Sequence, residues 1–173
     1  LHLGPFWIYG SHVTQAQPAG SMPLLVEAAQ AFGSGTHPTT QACLLALAEQ
    51  RKKKRPPRRI LDMGCGSAIL AMAAQRLFPA ANILAVDNNP VSVRTAQKNR
   101  QKNQISAMKM RVIFSEGFAN RSVSRFGPYD LIMANILAGP LRRMAAELTR
   151  NLRPGGQLTL SGLLHYQARQ LVG

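Results

Sequence analysis

The chain has 173 residues and a formal net charge of +14, because 21 Lys and Arg residues face only 7 Asp and Glu residues. This length suits one domain with a single sizeable core, and a hydrophobic content of 46% argues against disorder over the whole length. No apolar stretch is long and uncharged enough to span a bilayer, and the first residues lack the basic start and apolar run of a signal peptide. A pI near 11.3 makes contact with nucleic acid a serious hypothesis.

The two cysteines do not form a disulfide framework. Cys43 lies in an apolar helical run and Cys65 lies between two glycines, so both are expected to be buried and reduced. No cluster of Cys and His has the spacing of metal ligands, so no metal site is predicted. This use of cysteine is typical of a protein of the reducing cytoplasm.

The first 30 residues are rich in proline and glycine and are predicted to form a leading segment of short strands and loops. The apolar run Phe6–Tyr9 indicates one short strand, and 24–28 indicates a second extended stretch. A glycine- and threonine-rich loop at 32–40 comes next, and Thr39 or Thr40 is predicted to cap the helix that follows.

The segment 51–59 reads Arg-Lys-Lys-Lys-Arg-Pro-Pro-Arg-Arg. Pro56 and Pro57 cannot continue a helix, so this basic segment is predicted to be an exposed connector. It is the candidate contact for the phosphates of RNA, and a solvated linker is the alternative.

Beyond this connector, strand and helix patterns alternate. Strands are predicted at 60–61, 83–86, 109–114, 131–134 and 158–160. Helices are predicted at 67–77, 90–103, 141–152 (ended by Pro154-Gly155-Gly156) and from 163 onward. The alternation predicts an α/β fold with a doubly wound, mostly parallel sheet. We expect one domain over 1–173, in which the leading segment 1–30 precedes a cofactor-binding core at 31–173.

A glycine turn, Gly64-Cys65-Gly66, directly follows the first strand of this alternation and opens a helix. Glycine there permits a tight turn and lets a ligand approach the backbone, although any turn from strand to helix needs small residues. Asp87 ends the next strand, about 20 positions further on, where a carboxylate can accept hydrogen bonds from ribose hydroxyls. The alternative for Asp87 is a cap of the helix that begins at Pro90. Together these residues predict a nucleoside pocket.

Asp62 indicates which nucleoside this pocket takes. It lies two residues before Gly64, where a carboxylate would repel the pyrophosphate of a dinucleotide at the helix N-terminus. S-adenosylmethionine has no phosphate, and its ammonium and sulfonium groups both suit a nearby carboxylate. The chain also lacks a full G-x-G-x-x-G motif, so an NAD-dependent oxidoreductase is disfavoured.

Two further polar residues follow strands of the predicted sheet, whose carboxyl ends bind ligands in open α/β folds. Glu116, with Gly117 and Phe118, is a candidate contact for an adenine ring, or else part of an ordinary solvated turn. Asn135 ends a strongly apolar strand, and its amide oxygen is a candidate to hold an amine. A turn residue that ends the strand is the alternative for Asn135.

Several segments together resemble the family of methyltransferases that modify ribosomal protein eleven of the large subunit. The resemblance runs from about Gly4 to the end of the chain. The threonine-rich loop and the Asn-Ile-Leu-Ala-Gly-Pro stretch are its specific parts, while Asp-x-Gly-Cys-Gly is common to methyltransferases generally. The segments that carry the resemblance are 32–40, 61–67, 86–87, 134–140 and 160–162.

This resemblance implies a Rossmann-like, S-adenosylmethionine-dependent methyltransferase fold and a catalytic domain that methylates amines of a ribosomal protein, on lysine side chains or at the N-terminus. It implies cofactor contacts at Thr40, Gly64, Asp87 and Asn135, and the strand-end reasoning adds Asp62, Gly66 and Glu116. The family's N-terminal recognition domain and the last C-terminal strands are expected to be absent from this chain. Ala68 stands where the family usually has glycine, which would put a methyl group near the cofactor.

Asn135 is the predicted catalytic residue. A lysine amine has an ordinary pKa of about 10.4 and must lose a proton before it attacks a methyl carbon, and burial would lower that pKa. The Asn135 side-chain oxygen and a neighbouring backbone carbonyl would aim the amine, so positioning is the main contribution expected from the protein. His37 is the one candidate for a general base, and a structural role in its loop is favoured.

Two other classes of function fit the same residues. An RNA methyltransferase of the same fold would hold phosphates with the basic segment 51–59, but no aromatic-rich stacking patch accompanies this segment. A non-catalytic basic module that binds the ribosome or RNA would keep the fold without turnover, and Ala68 is compatible with it. Binding of S-adenosylmethionine separates this second class from the enzymes.

Overall fold

The computed structural model describes residues 1–27, 35, 37–53 and 55–161. Helices and strands alternate through most of this part of the chain. In chain order they are β1 His2–Leu3, β2 Phe6–Tyr9, β3 Met22–Leu25, α1 Pro38–Gln50, β4 Arg59–Met63, α2 Ile69–Leu77, β5 Asn82–Asp87, α3 Pro90–Lys102, β6 Met110–Phe114, α4 Arg121–Phe126, β7 Tyr129–Asn135, α5 Ala138–Asn151 and β8 Leu152–Ser161.

The main sheet has five strands in the order β6-β5-β4-β7-β8, and all neighbouring pairs are parallel. This arrangement confirms the predicted α/β fold with a mostly parallel sheet. The strand order reverses beside β4, because β5 lies on one side of it and β7 on the other. In such sheets the ligand crevice lies outside the carboxyl ends of the strands at this switch point. Met63 and Ala134 are paired there, so the ends of β4 and β7 are adjacent.

Alternate residues along the strands pack into two hydrophobic clusters, one on each face of the sheet. Ile60 and Leu131 belong to a cluster with α1, α2 and part of α3, whereas their neighbours Leu61 and Ile132 belong to a cluster with α4 and α5. All four side chains are buried. Because successive side chains of a strand point to opposite faces, an uninterrupted apolar run is what a sheet covered on both faces requires.

The leading segment forms a second sheet of three strands, in the order β1-β2-β3. Phe6 and Leu24 are fully buried in the same cluster as α1 and α2, so this segment completes the main core. Asn99 of α3 and Asn103, the C-cap of α3, hold the end of β3 and the residues after it. Asn103 donates to the Leu25 carbonyl oxygen at 2.7 Å and accepts from its backbone N–H at 3.0 Å, and Asn99 makes the equivalent pair with the backbone of Glu27.

Several predicted boundaries differ from the structure. The predicted cap at Thr39 or Thr40 is wrong, because His37 is the N-cap of α1 and its side chain accepts from the Thr39 N–H. The helix predicted at 67–77 begins at Ile69, after a turn. The prediction that Pro154-Gly155-Gly156 ends the helix before the last strand differs from the structure. β8 begins at Leu152, directly after α5, and it contains these three residues at a register irregularity near its start.

Two short elements were missed by the sequence analysis, namely β1 and α4. Both are short, and α4 has only six residues, which gives no periodic signal. The extended stretch predicted at 24–28 begins earlier, at Met22. The helix predicted from 163 onward and most of the glycine-rich part of the loop 32–40 lie outside the described residues.

Candidate functional site

The glycine turn is joined to the end of the neighbouring strand β5. The backbone N–H groups of Gly64 and Cys65 both donate to the Val86 carbonyl oxygen, at 2.8 and 2.9 Å. The Gly66 N–H donates to Asp87 Oδ2 at 2.8 Å. The turn after β4 and the carboxylate that ends β5 therefore form one hydrogen-bonded unit at the switch point.

The glycines of this turn have conformations that L side chains rarely adopt. Gly64 has φ +71° and Gly66 has φ +54°. A Cβ atom on Gly64 would also lie 2.2 Å from Cγ2 of Ile136, so this position has no room for a side chain. Ile136 follows Asn135, and its contact with Gly64 links the loop after β7 to the glycine turn. This role of Ile136 is not predicted from the sequence, because an apolar residue after an apolar strand gives no distinct signal.

Ala68 adopts a left-handed conformation with φ +64° at the N-cap of α2. A left-handed conformation costs a residue with a Cβ roughly 1 to 2 kcal/mol more than it costs glycine. The side chain of Ala68 is fully buried among the core residues of α1 and α2. Its methyl group therefore packs into the core, and the main consequence of alanine here concerns the backbone rather than space beside a ligand.

Asp62 is buried at the end of β4 and is 1% exposed. Its Oδ2 accepts a hydrogen bond from the Ala71 N–H, in the first turn of α2, at 3.0 Å. Burial raises the pKa of this carboxyl to about 7; the Ala71 hydrogen bond opposes that rise, and the nearby negative charge of Asp87 adds to it. The carboxylate therefore occupies the helix N-terminus that would otherwise receive a phosphate.

Asp87 uses both carboxylate oxygens on backbone groups and is 8% exposed. Oδ2 accepts from Gly66, as above, and Oδ1 accepts from the Asn89 N–H at 2.9 Å. The N-cap of α3 is Asn89, whose side chain accepts from the Val91 N–H, so the alternative assignment of Asp87 as that cap is wrong. Each carboxylate oxygen has further lone pairs, so these contacts orient Asp87 without exhausting its capacity as an acceptor.

Thr40 and Asn135 are 95 residues apart in the sequence and are in direct contact. Asn135 Nδ2 donates to Thr40 Oγ1 at 3.0 Å. Thr40 is buried in the first turn of α1, and Asn135 is half-buried at the end of β7. With its Nδ2 engaged by Thr40, Asn135 keeps its carbonyl oxygen as the atom available to a ligand. His37 caps this same helix end, which is the structural role favoured for it.

Glu116 lies at the same edge of the sheet but is not brought into the hydrogen-bonded unit. It is exposed in the turn after β6. The backbone of this turn is joined to β5, because the Ser115 N–H donates to the Asp87 carbonyl oxygen at 3.0 Å. The side chain of Ser115 accepts from the Asn120 N–H and donates to the Gly117 carbonyl oxygen, which shapes the turn.

Asn99 is a further residue of the site that the sequence analysis missed. It is fully buried, and its Nδ2 donates to the Ser67 carbonyl oxygen at 3.0 Å, directly after the glycine turn. Since the same side chain also pairs with the backbone of Glu27, Asn99 ties the glycine turn to the leading segment. The available signal was the spacing of Asn99 and Asn103, which places two amides on one face of a helix.

Among the described residues, no group of three or more His, Cys, Asp and Glu side chains could hold a metal ion. None of the helices in the described ranges is long and apolar enough to cross a membrane. Both cysteines are free thiols and are buried. Burial raises the pKa of Cys65 well above its ordinary value, and the neighbouring Asp62 and Asp87 raise it further.

The strand order, the glycine turn and the acidic strand end define the fold of the Rossmann-like, S-adenosylmethionine-dependent methyltransferases. Solved structures at low sequence identity share this fold. A S-adenosylmethionine-dependent methyltransferase from Agrobacterium tumefaciens has a TM-score of 0.64 at 18% identity, covering 80% of this chain and 50% of that one. A precorrin-6y C5,15-methyltransferase from Geobacter metallireducens has a TM-score of 0.62 at 20% identity, covering 76% and 67%.

Within this class, the chain belongs to the ribosomal protein L11 methyltransferase (PrmA) family, whose model matches residues 2–173. The ribosomal protein L11 methyltransferase of Bradyrhizobium diazoefficiens is 43% identical over 169 residues, which are 98% of this chain and 56% of the relative. A ribosomal protein L11 methylase from Lactobacillus delbrueckii subsp. bulgaricus has a TM-score of 0.76 at 31% identity, covering 91% of this chain and 76% of that one. The chain thus spans a little over half the length of the curated relatives.

Proposed function

We propose that this chain is the catalytic domain of an S-adenosylmethionine-dependent protein N-methyltransferase that acts on amines of ribosomal protein L11. The observation that carries the proposal is the contact between Thr40 and Asn135 beside the glycine turn. It joins the two segments most specific to the family at the switch point of the sheet. The substrate is taken from the names of the family and of its relatives.

The residues at the switch point fit S-adenosylmethionine, which supplies an activated methyl group when bound. Asp87 is held by Gly66 and Asn89 and keeps lone pairs for ribose hydroxyls. Asp62 fills the helix N-terminus, so the site rejects a dinucleotide pyrophosphate and favours a cationic ligand. Gly64 allows close approach of a ligand to the backbone. Glu116 stands further out, and its contact with an adenine ring is a proposal from its place at the end of β6.

Asn135 is the proposed catalytic residue, because its carbonyl oxygen can accept a hydrogen bond from a substrate amine. Thr40 Oγ1 accepts a hydrogen bond from Nδ2 of the same side-chain amide, and this contact fixes the direction of the Asn135 carbonyl oxygen. An amine held in this way presents its lone pair in one direction, which is the positioning contribution expected of the protein. We assign no general base, since His37 is engaged as the cap of α1.

The basic segment is proposed to contact ribosomal RNA at a place remote from this site. It leads into Arg59, the first residue of β4, and therefore lies at the amino edge of the sheet. The candidate site lies at the opposite, carboxyl edge. Phosphates held by the segment would not bring a base to Asn135, so this geometry favours a protein amine over RNA as the methylated group. A cytoplasmic location follows from the proposed ribosomal substrate.

Two measurements, made one after the other, test the proposal. Calorimetry with S-adenosylmethionine tests the site, and transfer of a labelled methyl group to purified ribosomal protein L11 and to ribosomal RNA in parallel tests the substrate. We expect cofactor binding and labelling of the protein alone. Labelled RNA with unlabelled protein would support the RNA methyltransferase, and absent cofactor binding would support the non-catalytic module.

A further inference from the structure

A surface cavity of about 420 Å³ lies at the amino edge of the sheet, away from the candidate methyl-transfer site. It is formed where the end of α2 meets the turn between α3 and β6. Its cationic members are Arg76, in the last turn of α2, and Lys109, which is exposed directly before β6. Among the described residues, the lining consists of Gln75, Arg76, Pro79, Gln104, Ile105, Ser106 and Lys109, and none of these is a carboxylate.

Two buried polar atoms of the lining residues have no hydrogen-bond partner within the described ranges. They are Nε of Arg76, a donor, and Oε1 of Gln75, an acceptor. Arg76 is held in place by its Nη2, which donates to the Asn103 carbonyl oxygen at 3.0 Å, and Gln75 by its Nε2, which donates to the Pro79 carbonyl oxygen at 3.2 Å. A buried donor without a partner is costly, so the Arg76 guanidinium is not fully satisfied by the protein. Because Arg76 also lines the cavity, an anion seated there would lie beside its positive charge.

The cavity is continuous with the basic segment along one edge of the sheet. The Asn82 N–H donates to the Arg58 carbonyl oxygen and the Ile83 N–H donates to the Lys109 carbonyl oxygen, both at 2.8 Å. Arg58 and Lys109 therefore flank the start of β5 and lie about two strand spacings, roughly 10 Å, apart. Exposed cations of the segment and of nearby helix and strand ends extend this edge, namely Arg51, Lys52, Lys53, Arg55, Arg59, Lys102, Arg125, Arg150 and Arg153.

Described acids neutralise only part of this edge. Glu49 pairs with Lys52, Asp130 pairs with Arg153, and Glu27 pairs with Lys102. A row of cations that leads to a cavity with an unpaired guanidinium nitrogen is suited to a chain of phosphates rather than to one isolated anion. Among the large exposed apolar side chains of the described residues, Met108 alone lies beside this cavity, whereas a membrane-binding face inserts several apolar side chains.

We propose that the amino edge of the sheet is a docking surface for the phosphodiester backbone of RNA, with one phosphate held in the cavity by Arg76 and Lys109. The proposal rests on the RNA contact proposed for the basic segment and adds the cavity as a second binding site for a phosphate of the same RNA. It is independent of methyl transfer, because the cavity and the Asn135 site lie at opposite edges. A docked RNA strand would leave the carboxyl edge open for a protein substrate.

The test is the affinity of the chain for a fluorescently labelled single-stranded RNA, measured by anisotropy over a range of salt concentrations. The cavity variant carries Arg76→Gln and Lys109→Gln. We expect it to bind roughly twentyfold more weakly at about 0.1 M salt, because charge-assisted hydrogen bonds to the phosphate are lost. The log–log salt slope should be shallower by about 0.7, as for one lost phosphate contact. The control variant carries Arg142→Gln and Arg143→Gln, two exposed cations in α5 on the carboxyl side. It loses the same charge and should bind within about threefold of the unchanged chain.

Equal losses in the cavity and control variants would overturn the proposal, because binding would then depend on net charge alone. So would absent RNA binding, or stronger binding to vesicles of anionic lipid than to RNA. Binding of inorganic phosphate at millimolar concentration, measured by calorimetry in the absence of RNA binding, would reduce the cavity to a site for free phosphate. The single variant Lys109→Gln, at an exposed position, tests the cavity without disturbing the packing of Arg76. Thermal unfolding shows whether each variant is folded. Methylation of ribosomal protein L11 should be unchanged in the cavity variant.

Discussion

The two edges of the main sheet differ in charge although the same five strands run between them. At the carboxyl edge, acidic and amide side chains follow the strands, with Asp62, Asp87 and Asn135 held by hydrogen bonds to neighbouring groups. At the amino edge, Arg and Lys side chains precede the strands, and the cavity beside Lys109 has a cationic lining. The large net charge of the chain is therefore unevenly distributed, and it is concentrated on the side away from the candidate site.

The direction of the helices explains why this separation is stable. Helices between parallel strands run antiparallel to them, so helix N-termini gather at the carboxyl edge and C-termini at the amino edge. Partial positive charge at the N-terminus of α2 stabilises the Asp62 carboxylate, and basic residues in the last turns of α2, α3, α4 and α5 face partial negative charge. The proposed cofactor site and the proposed RNA-docking surface thus lie at opposite edges of one small domain.

The largest effect is expected at the carboxyl edge, from Asn135→Ala. We expect methyl transfer to fall roughly a thousandfold, because one preorganised hydrogen-bond acceptor for the amine is lost. Cofactor affinity, measured by calorimetry, should be largely kept. Thr40→Ser retains the hydroxyl that holds Asn135 and is the matched control, with activity within a few-fold. Unimpaired transfer by Asn135→Ala would remove Asn135 from the catalytic role.

Asp62 should make stability depend on pH. Its pKa is raised from 3.8 to about 7 in the folded chain, so the folded state binds more protons than the unfolded state above pH 4. The free energy of unfolding should therefore fall as the pH rises from about 4 to 7, by on the order of 3 to 4 kcal/mol, and then level off. Urea unfolding at several pH values measures this slope, which Asp62→Asn should remove.

Glu27 provides the comparison of opposite sign for this pH series. Hydrogen bonds from Ser11 and the nearby charge of Lys102 lower its pKa from 4.5 to about 2. Its contribution to stability is therefore present above pH 4.5 and is lost as the pH falls towards 2. Glu27→Gln should weaken the dependence of the unfolding free energy on pH below pH 4.5. It should leave the dependence between pH 4 and 7 unchanged. If the unfolding free energy of Asp62→Asn still falls between pH 4 and 7, a group other than Asp62 causes this pH dependence.

Gly64→Ala should destabilise the chain by about 3 kcal/mol. The new methyl group adds a left-handed backbone penalty and a clash with Ile136, since its Cβ would lie 2.2 Å from Cγ2. Gly20→Ala is the matched control, because Gly20 has a similar φ of +73° with nothing within 4 Å of its Cβ. The control should cost about 1 kcal/mol by urea unfolding. Equal losses would mean that Ile136 moves aside freely, and that it does not cover the glycine turn.

The smallest effects are expected at the amino edge. Asp130 Oδ2 accepts from the backbone N–H groups of Arg58 and Arg59, at 2.9 and 2.8 Å. Asp130→Ala removes this acceptor together with the partly exposed ion pair to Arg153, and it should cost about 1 to 2 kcal/mol in the free energy of unfolding. Glu49→Gln breaks only an exposed ion pair and should cost less than about 0.5 kcal/mol. A larger loss from Glu49→Gln than from Asp130→Ala would show that charge at this edge matters more than backbone hydrogen bonding.

Both edges could be foreseen in part from the sequence. The glycine turn and Asp87 lie where strand-to-helix spacing predicts them, because a parallel sheet brings all carboxyl strand ends to one edge. Boundaries were less accurate. The capping role of His37 was not predicted, since Thr39 and Thr40 are stronger capping types and the geometry of Pro38 at the first helical position selects the residue before it.

The residues by themselves determined the class of fold and the exposed basic connector, and they predicted a nucleoside pocket, because periodicity, turn chemistry and charge are local properties of a chain. Only the tertiary structure brought Thr40 to Asn135, placed Ile136 over Gly64 and bound Asn99 to the glycine turn. It also decided that the basic segment lies at the edge opposite the site. These relations join positions far apart in the chain, and they depend on the order of the strands, which no local pattern encodes.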